Sequence, residues 1–193
     1  MLGGAFDPPH MTHVAMARCA VQNLGVSELR VVPTGLAWHK HRPLTESVHR
    51  LAMTRLAFAD VPRTVVDTIE IDRGTRSYTI DTLQLWHQQW PQARLVLLLG
   101  ADQAETLTTW KEWVELFRLA TIYVAPRAGY SGASTATDMP SAYRDQLQLL
   151  PVSVTDHSAT SVRDRVAHGY SVDGLVPSVV ARYIADHHLY TTS

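Results

Sequence analysis

The chain has 193 residues, of which 46% are hydrophobic and 18% charged, enough apolar sequence for one domain with a full core over residues 1–193. Its formal net charge of −1 gives no electrostatic attraction to nucleic acid or to an anionic membrane. The single cysteine, Cys19, excludes an intrachain disulfide and a cysteine-rich zinc site, and it favours a reducing, cytoplasmic compartment. No apolar run reaches the ~18 residues of a membrane span.

Short apolar strands alternate with helical patterns along the whole chain. Strands are predicted over 29–33, 64–71, 94–99, 121–125 and 149–154. Helices are predicted over 14–24, 48–59, 78–89, 110–119, 160–168 and 179–187. This alternation predicts an α/β fold, a Rossmann-like doubly wound parallel sheet flanked by helices, whose ligands bind at the carboxyl ends of the strands. Residues 127–141 are predicted as a surface loop, and a lid is an open alternative.

The first motif, GGAFDPPHMTH, occupies residues 3–13. The glycines allow a tight turn that approaches a ligand closely, and the helical pattern starts at its end. His10 and His13 are three residues apart, so both project from one side of a helix N-terminus, where anions bind. They fit a phosphate site. A turn with two surface histidines, or a metal site completed by Asp7, are the alternatives.

The second motif, DHSATSVR, occupies residues 156–163. The hydroxyls of Ser158 and Thr160 suit a helix start, and Arg163 follows one turn later. Hydroxyls, main-chain N–H groups and a guanidinium can converge on a phosphate. An N-capped helix with a surface arginine is the alternative.

Two further segments offer groups for a second ligand. Lys40 and Arg42 follow the strand 29–33 and can hold a phosphate, although a solvated basic loop is equally typical. In the segment GTRSYTIDTL, residues 74–83, a helix start offers main-chain N–H groups that suit a carboxylate. The alternative is an ordinary capped amphipathic helix.

Asp102 and Trp110 follow the most apolar predicted strand. A carboxylate at a strand end can accept hydrogen bonds from ribose hydroxyls, and an indole offers a flat face to a pyridine ring. A capping aspartate and a core tryptophan are the alternatives.

Together these segments resemble the HxGH nucleotidyltransferases, and more closely the bacterial nicotinate mononucleotide adenylyltransferases. Residues 3–13 are similar to the signature GGTFDPxHxGH, with Thr12 in place of glycine. Residues 157–163 are similar to ISATxIR, with His157 in place of isoleucine. The segments around Lys40, 74–83 and 100–110 resemble the PHK loop, the GxSYTxDTL element and the GxD…W element of the family.

The resemblance implies transfer of AMP from ATP, with Mg²⁺, to nicotinate mononucleotide. Three residues would be catalytic: His10, His13 and Arg163. The residues implied in ATP binding are Gly3, Gly4, Phe6, His10, His13, Ser158, Thr160 and Arg163. Those implied in binding nicotinate mononucleotide, in part through main-chain amides, are Lys40, Ser77, Tyr78, Thr79, Asp102 and Trp110.

Other interpretations stay open. A sibling adenylyltransferase would use another acceptor, such as nicotinamide mononucleotide or phosphopantetheine. A non-catalytic nucleotide-binding homologue would keep the fold without turnover. We expect no binding to nucleic acid or to a membrane, and no metal site built from protein side chains. A homo-oligomer is left open.

The start of the chain departs from the family. Family members carry a buried first strand before the two glycines, and here only Met1 and Leu2 precede them. The sequence therefore predicts a truncated first strand, with Met1 an internal or misassigned start.

Overall fold

Six parallel strands form one sheet, flanked by nine helices, within residues 1–35, 43–126, 139–153 and 157–191, the part of the chain that the computed structural model describes. The strands are β1 Leu2–Gly4, β2 Leu29–Pro33, β3 Thr64–Val66, β4 Leu95–Gly100, β5 Ala120–Ala125 and β6 Gln148–Leu149. The helices are α1 Met11–Asn23, α2 Ser47–Phe58, α3 Ile69–Asp72, α4 Thr79–Gln89, α5 Ala101–Glu105, α6 Trp113–Leu119, α7 Ser141–Arg144, α8 Ala159–Ala167 and α9 Ser178–Asp186. A 3-10 helix, Leu107–Thr109, lies between α5 and α6. No helix in these four ranges has the length and apolar character needed to cross a membrane.

The order of the strands across the sheet is β3-β2-β1-β4-β5-β6. β1 is central, with Leu2 opposite Val31 of β2 on one side and Leu98 of β4 on the other. The chain adds β2 and β3 on one side of β1 and then crosses to place β4 on the other. Such a change of direction opens a crevice at the carboxyl ends of the strands, here after Gly4 and Gly100. The predicted Rossmann-like, doubly wound α/β fold is confirmed.

Each face of the sheet has its own hydrophobic core, and successive residues of a strand enter opposite cores. Val31 packs in the core that contains α1, whereas Val32 packs in the core that contains α4. In β4, Leu98 belongs to the first core, and Leu97 and Leu99 belong to the second. All five side chains are at most 1% exposed. A strand buried on both faces is apolar at every position, which explains the run LVLLLG of β4.

The strand predicted over 64–71 is wrong in its second half. It ends at Val66, and Ile69–Asp72 forms α3. Asp67 explains the change, because its carboxylate accepts the main-chain N–H of Ile69 at 3.0 Å and pairs with Arg30 at 2.7 Å. A side-chain acceptor two residues before an N–H favours a turn over a strand.

Two other predicted elements are shorter than expected. The helix predicted over 110–119 begins only at Trp113, after Glu112 in a left-handed conformation with φ +50°. The last strand is found at Gln148–Leu149 rather than over 149–154, since Pro151 has no N–H to continue the ladder. Most of the predicted loop, residues 127–138, lies outside the described ranges.

The first strand, β1, has three residues. Directly before it, the ammonium group of Met1 is buried and donates to the Val96 carbonyl at 2.6 Å. Burial, and then the charge of Arg30, lower the pKa of this ammonium to about 5. A cavity of about 980 Å³ opens beside it at the amino ends of β2 and β4, on the edge opposite the crevice. A truncated first strand stays a prediction.

Gly35, shortly after β2, lets the chain pass closely against α3. A Cβ at this position would overlap the main-chain carbonyl oxygen of Glu70, so the main chain would have to move. We expect Gly35→Ala to lower the free energy of unfolding by ~1–3 kcal/mol. Gly100→Ala is the matched control, because its Cβ would meet only Oε1 of Gln103 at 3.9 Å. Urea titration measures both variants, and equal stability would contradict the prediction.

Candidate active site

The turn between β1 and α1 is shaped by Phe6. Its φ of +47° is left-handed, which costs a non-glycine residue ~1–3 kcal/mol. Its ring is 1% exposed and contacts the rings of His13 and Phe58, at centroid distances of 5.0 and 5.8 Å. A Cβ at Gly4 would lie 3.2 Å from this ring, so the second glycine leaves space for it. The Phe6 side chain therefore supports His13, and only its main chain is left to contact a nucleotide.

His10 and His13 lie at the start of α1. His10 directly precedes the helix, His13 is its third residue, and their ring centroids are 3.8 Å apart. The main-chain N–H of His10 donates to Nδ1 of His13 at 3.2 Å. Because Nδ1 is an acceptor, the proton of the neutral His13 ring is on Nε2. His13 therefore offers an N–H to an acceptor at the helix N-terminus.

Burial keeps both imidazoles neutral. Burial, followed by the charge of His157, lowers the pKa of His10 to about 4. Burial, followed by the charge of His10, holds the pKa of His13 well below its usual value. Nδ1 of His10 is buried without a hydrogen-bond partner among the described residues. An anionic ligand would give this nitrogen an acceptor and would favour the protonated imidazole.

The second motif forms the start of α8. Oγ of Ser158 accepts the N–H of Ser161 at 3.1 Å, and Oγ of Ser161 accepts the N–H of Ser158 at 3.2 Å. This reciprocal cap makes Ser158 a capping residue. One turn later, Nη2 of Arg163 donates to Oγ1 of Thr160 at 2.9 Å. Thr160 is exposed and Arg163 half-buried, so both can reach a ligand.

The two motifs meet although they lie far apart in the sequence. Nη1 of Arg163 donates to the main-chain carbonyl of Asp7 at 2.7 Å, and the hydroxyl of Thr12 donates to the carbonyl of His157 at 3.3 Å. Thr12 and His157 both stand where this chain departs from the family signatures, and they contact each other. The extra hydroxyl of Thr12 thus ties α1 to the residue that leads into α8. The two helices therefore start side by side.

Four side chains surround these paired helix starts, and we name them the phosphate cradle: His10, His13, Thr160 and Arg163. Their N–H and O–H groups, with two helix N-termini, suit an anion. The Asp7 carboxylate is held elsewhere, by the N–H of Thr45 and the hydroxyl of Tyr190. In the described ranges, no three His, Cys, Asp or Glu residues are grouped to hold a metal ion. The Asp7 carboxylate is thus bonded to Thr45 and Tyr190, and the choice between a phosphate site and a metal site stays a prediction.

Arg50 was not singled out from the sequence, yet it holds the loops beneath the phosphate cradle. Its side chain is buried, with 2% of the residue exposed. Nε donates to the carbonyl of Thr45 at 2.9 Å, Nη1 to that of Ala5 at 2.9 Å and Nη2 to that of Gly35 at 3.3 Å. Burial lowers the pKa of Arg50, and the charge of Asp7 opposes this shift. A guanidinium nevertheless stays charged in a protein, so three loops gather around a buried cation.

The signal for Arg50 lies in the pattern of α2. The buried residues that follow it at helical spacing are Met53, Thr54 and Ala57. A charged residue three, four and seven positions before buried ones lies on the buried face of the helix. In the sequence alone this signal is weak, because Thr54 on the same face is also polar, so the burial of Arg50 and its three partners were established only by the structure.

The turn from α3 to α4 carries Ser77, Tyr78 and Thr79, with Tyr78 directly before the helix. Oγ of Ser77 donates to the carbonyl of Glu70 at 3.3 Å, and the hydroxyl of Thr82 donates to Oε1 of Glu70 at 3.4 Å. Burial raises the pKa of Glu70 to about 7, although the charge of Arg73 lowers it. Glu70 thus anchors the turn through its main-chain carbonyl and the first turn of α4 through its buried carboxyl group. The first N–H groups of a helix lack partners within it, so the start of α4 offers main-chain donors.

Lys111 joins the start of α4 to the segment before α6. Its Nζ pairs with Asp81 at 2.7 Å and lies 5.0 Å from the ring centre of Tyr78. Trp110, the preceding residue, packs against the second core and is partly buried. The structure thus brings Trp110 to the same end of α4 as Tyr78, as a shared ligand site requires.

The remaining predicted residues lie on other segments. Asp102 is exposed in the first turn of α5, directly after the carboxyl end of β4. It therefore lies at the crevice edge of the sheet. Lys40 belongs to residues 36–42, which lie outside the described ranges.

Known proteins resemble this chain over nearly its whole length. The model of the cytidylyltransferase-like family matches residues 1–165. A relative from Albidiferax ferrireducens, named probable nicotinate-nucleotide adenylyltransferase, is 47% identical over 100% of this chain and 98% of its own length. A relative of the same name from Methylibium petroleiphilum is 40% identical over 98% of this chain and 91% of its own length.

A solved structure shares the fold at low sequence identity. Plasmodium falciparum nicotinic acid mononucleotide adenylyltransferase complexed with NaAD matches with a TM-score of 0.79 and 19% identity, over 98% of this chain and 95% of that chain. The same enzyme complexed with APC matches with a TM-score of 0.76 and 18% identity, over 98% of this chain and 94% of that chain. The likeness supports the Rossmann-like architecture.

Arg50→Lys tests the buried cation. A lysine cannot reach three carbonyls in the fixed geometry of a guanidinium, so at least one buried carbonyl loses its donor. We expect the free energy of unfolding to fall by ~2–4 kcal/mol, measured by urea titration. Arg55→Lys, on the exposed side of the same helix, is the control and should change stability little. A loss of the same size in both variants would overturn the role of Arg50.

Proposed function

Because the chain belongs to the cytidylyltransferase-like family and, within it, to the nicotinate-nucleotide adenylyltransferases, we propose that it transfers AMP from ATP to nicotinate mononucleotide in NAD biosynthesis. The products are nicotinate adenine dinucleotide and pyrophosphate. The observation that carries this proposal is the phosphate cradle, in which two distant motifs meet through the 2.7 Å contact between Arg163 and Asp7. It presents donors to an anion at two helix starts.

The reaction is a displacement at the α-phosphorus of ATP. An oxygen of the 5′-phosphate of nicotinate mononucleotide forms the new P–O bond. The bond from the α-phosphorus to the oxygen that bridges the α- and β-phosphates breaks, and pyrophosphate leaves with that electron pair. No side chain has to act as nucleophile. The protein aligns two anionic substrates and stabilises the charge of the transition state.

We assign that stabilisation to His10 and His13. With Nδ1 of His13 occupied by the N–H of His10, Nε2–H is the group left to donate to an α-phosphate oxygen. Both rings are neutral without ligand because burial lowers their pKa values. A polyphosphate favours protonated imidazole. His10, whose Nδ1 has no partner among the described residues, can gain a proton without losing a contact, so positive charge at the phosphate cradle increases when ATP binds.

The triphosphate is assigned to the start of α8. Thr160 and Arg163 already bond to each other at 2.9 Å, which orients the guanidinium beside the helix N-terminus. Ser158 caps this helix. Gly3 and Gly4 lead the main chain into the crevice, where the absence of a side chain permits close approach of the nucleotide.

The pyridine carboxylate is assigned to the start of α4. Main-chain N–H groups of Ser77, Tyr78 and Thr79 suit an anion at a helix N-terminus. Trp110, brought to the same end of α4, offers a face for the pyridine ring. Asp102, at the end of β4, suits the ribose hydroxyls.

We propose that Mg²⁺ enters the site with ATP. The nitrogen donors of His10, His13 and Arg163 suit phosphate oxygens, whereas Mg²⁺ prefers oxygen ligands and keeps several waters. Phosphate oxygens and water would therefore bind the ion. When bound, Mg²⁺ neutralises part of the negative charge on the β- and γ-phosphates.

A cytoplasmic location stays a prediction, and a homo-oligomer stays an open alternative. The single cysteine, Cys19, is buried with a free thiol, which suits a reducing compartment.

His13→Ala tests the catalytic assignment. We expect kcat to fall by ~100-fold or more, with a much smaller change in the affinity for ATP, because His13 acts at the reacting phosphate. Pyrophosphate release gives kcat, and calorimetry with a non-hydrolysable ATP analogue gives the affinity. His87→Ala, an exposed histidine on α4, is the matched control. Unchanged turnover in His13→Ala would remove its catalytic role.

A panel of acceptors tests the function itself. Pyrophosphate release from ATP is compared with nicotinate mononucleotide, nicotinamide mononucleotide and phosphopantetheine, with the His13→Ala variant as background. We expect nicotinate mononucleotide to be preferred by ~10-fold or more, since an amide cannot replace a carboxylate at main-chain donors without loss. Preference for another acceptor would identify a sibling enzyme. Binding of ATP without any pyrophosphate release would identify a non-catalytic homologue.

A further inference from the structure

The segment after α9 returns to the turn that follows β1. His188 and Tyr190 adopt left-handed conformations, with φ of +49° and +65°, and the N–H of Leu189 donates back to the carbonyl of Ile184 at 3.0 Å. Leu189 and Tyr190 pack against the first core. The hydroxyl of Tyr190 donates to Oδ1 of Asp7 at 2.7 Å.

Asp7 depends on this contact because its carboxylate is buried. The residue is 2% exposed, and a buried carboxylate requires donors. Oδ2 accepts the N–H of Thr45 at 3.3 Å, so Thr45 and Tyr190 donate to different oxygens of the carboxylate. Burial, followed by the charge of Asp7, raises the pKa of Tyr190 above its usual value. The hydroxyl therefore stays a donor throughout the neutral pH range.

The other end of Asp7 leads to the phosphate cradle. Its main-chain carbonyl accepts from Nη1 of Arg163, whose Nη2 donates to Thr160. The charge of Arg163 also acts on Tyr190, so these groups lie close together. One residue thus separates the Tyr190 hydroxyl from the guanidinium assigned to the triphosphate.

We propose that Tyr190 is a positioning residue of the ATP site: its hydroxyl fixes the Asp7 carboxylate, and Asp7 in turn fixes the guanidinium of Arg163 at the phosphate cradle. This inference rests on the proposed function for the identity of the ligand. Tyr190 acts through Asp7 and is not itself part of the phosphate cradle. Loss of its hydroxyl leaves a buried carboxylate short of a donor, so Asp7 shifts and Arg163 loses its alignment.

Tyr190→Phe removes the hydroxyl and keeps the ring in the core. We expect KM for ATP and the Kd of a non-hydrolysable ATP analogue to rise by ~5- to 50-fold. KM for nicotinate mononucleotide should be unchanged, and kcat should change by less than about threefold, because the acceptor site and the reacting phosphate are not touched.

Two control variants separate positioning from stability. Tyr183→Phe removes another hydroxyl of the same region, which bonds to Nδ1 of His49 at 3.0 Å, and should leave the ATP affinity unchanged. Leu189→Ala weakens the packing of the same turn and should lower the free energy of unfolding without a change in ATP affinity. If Leu189→Ala weakens ATP binding as much as Tyr190→Phe, the role of Tyr190 is structural and the proposal fails.

A double-variant cycle tests whether Tyr190 acts through Arg163. Arg163→Gln alone and combined with Tyr190→Phe should have the same Kd for the analogue, whereas independent roles would give additive losses. Additive losses, or an unchanged Kd in Tyr190→Phe, would overturn the proposal. If Tyr190→Phe is too unstable to purify, Tyr190→Met replaces it in the same cycle, because a methionine side chain adapts to the core and carries no donor. Absence of pyrophosphate release by the wild type would count against the proposed function alone, because the Kd comparison needs no turnover.

Discussion

One buried cation, the guanidinium of Arg50, holds together the loops at the carboxyl ends of the strands, where the site lies. Arg50 lies in the first turn of α2, yet its guanidinium meets carbonyls from the turn after β1, from the segment after β2 and from the segment before α2. A buried charge is tolerated only when its donors are paired. Three loops that would otherwise be independent are therefore held in one arrangement. Asp7, on the first of them, contributes the opposite charge.

Burial acts on the phosphate cradle as well, but there it keeps the histidines neutral, whereas the buried Arg50 stays charged. Its histidines lie where burial disfavours a positive charge, next to two helix N-termini that attract anions. In the proposed function, Arg163 supplies positive charge for ATP before binding, and protonation of a histidine adds to it when the ligand binds. A strongly basic surface is unnecessary, which reconciles a polyphosphate substrate with a net charge of −1.

Contacts between distant segments replace a continuous binding loop. Arg163 donates to the main-chain carbonyl of Asp7, and Thr12 donates to the carbonyl of His157, two residues before α8. Tyr190, in the segment after α9, donates to the Asp7 carboxylate. On the acceptor side, Glu70 anchors the turn into α4 from beneath. Arg163 and the turn into α4 are thus each held by a buried polar residue, Asp7 and Glu70 respectively, which limits their movement when charged substrates bind.

The sequence by itself determined the alternation of strands and helices, the parallel sheet, and the two motifs with their candidate phosphate ligands. Those features are local: a strand buried on both faces, such as β4, is apolar throughout, and a cap such as Ser158 bonds to a residue three positions away. Only the tertiary structure decided which polar residues are buried and what they contact. Arg50 looks like a helix residue among others, Glu70 looks like part of a strand, and Tyr190 follows the last helix with no evident role. Their partners lie up to 183 residues away, and a buried polar group takes its function from partners that the folded chain brings to it.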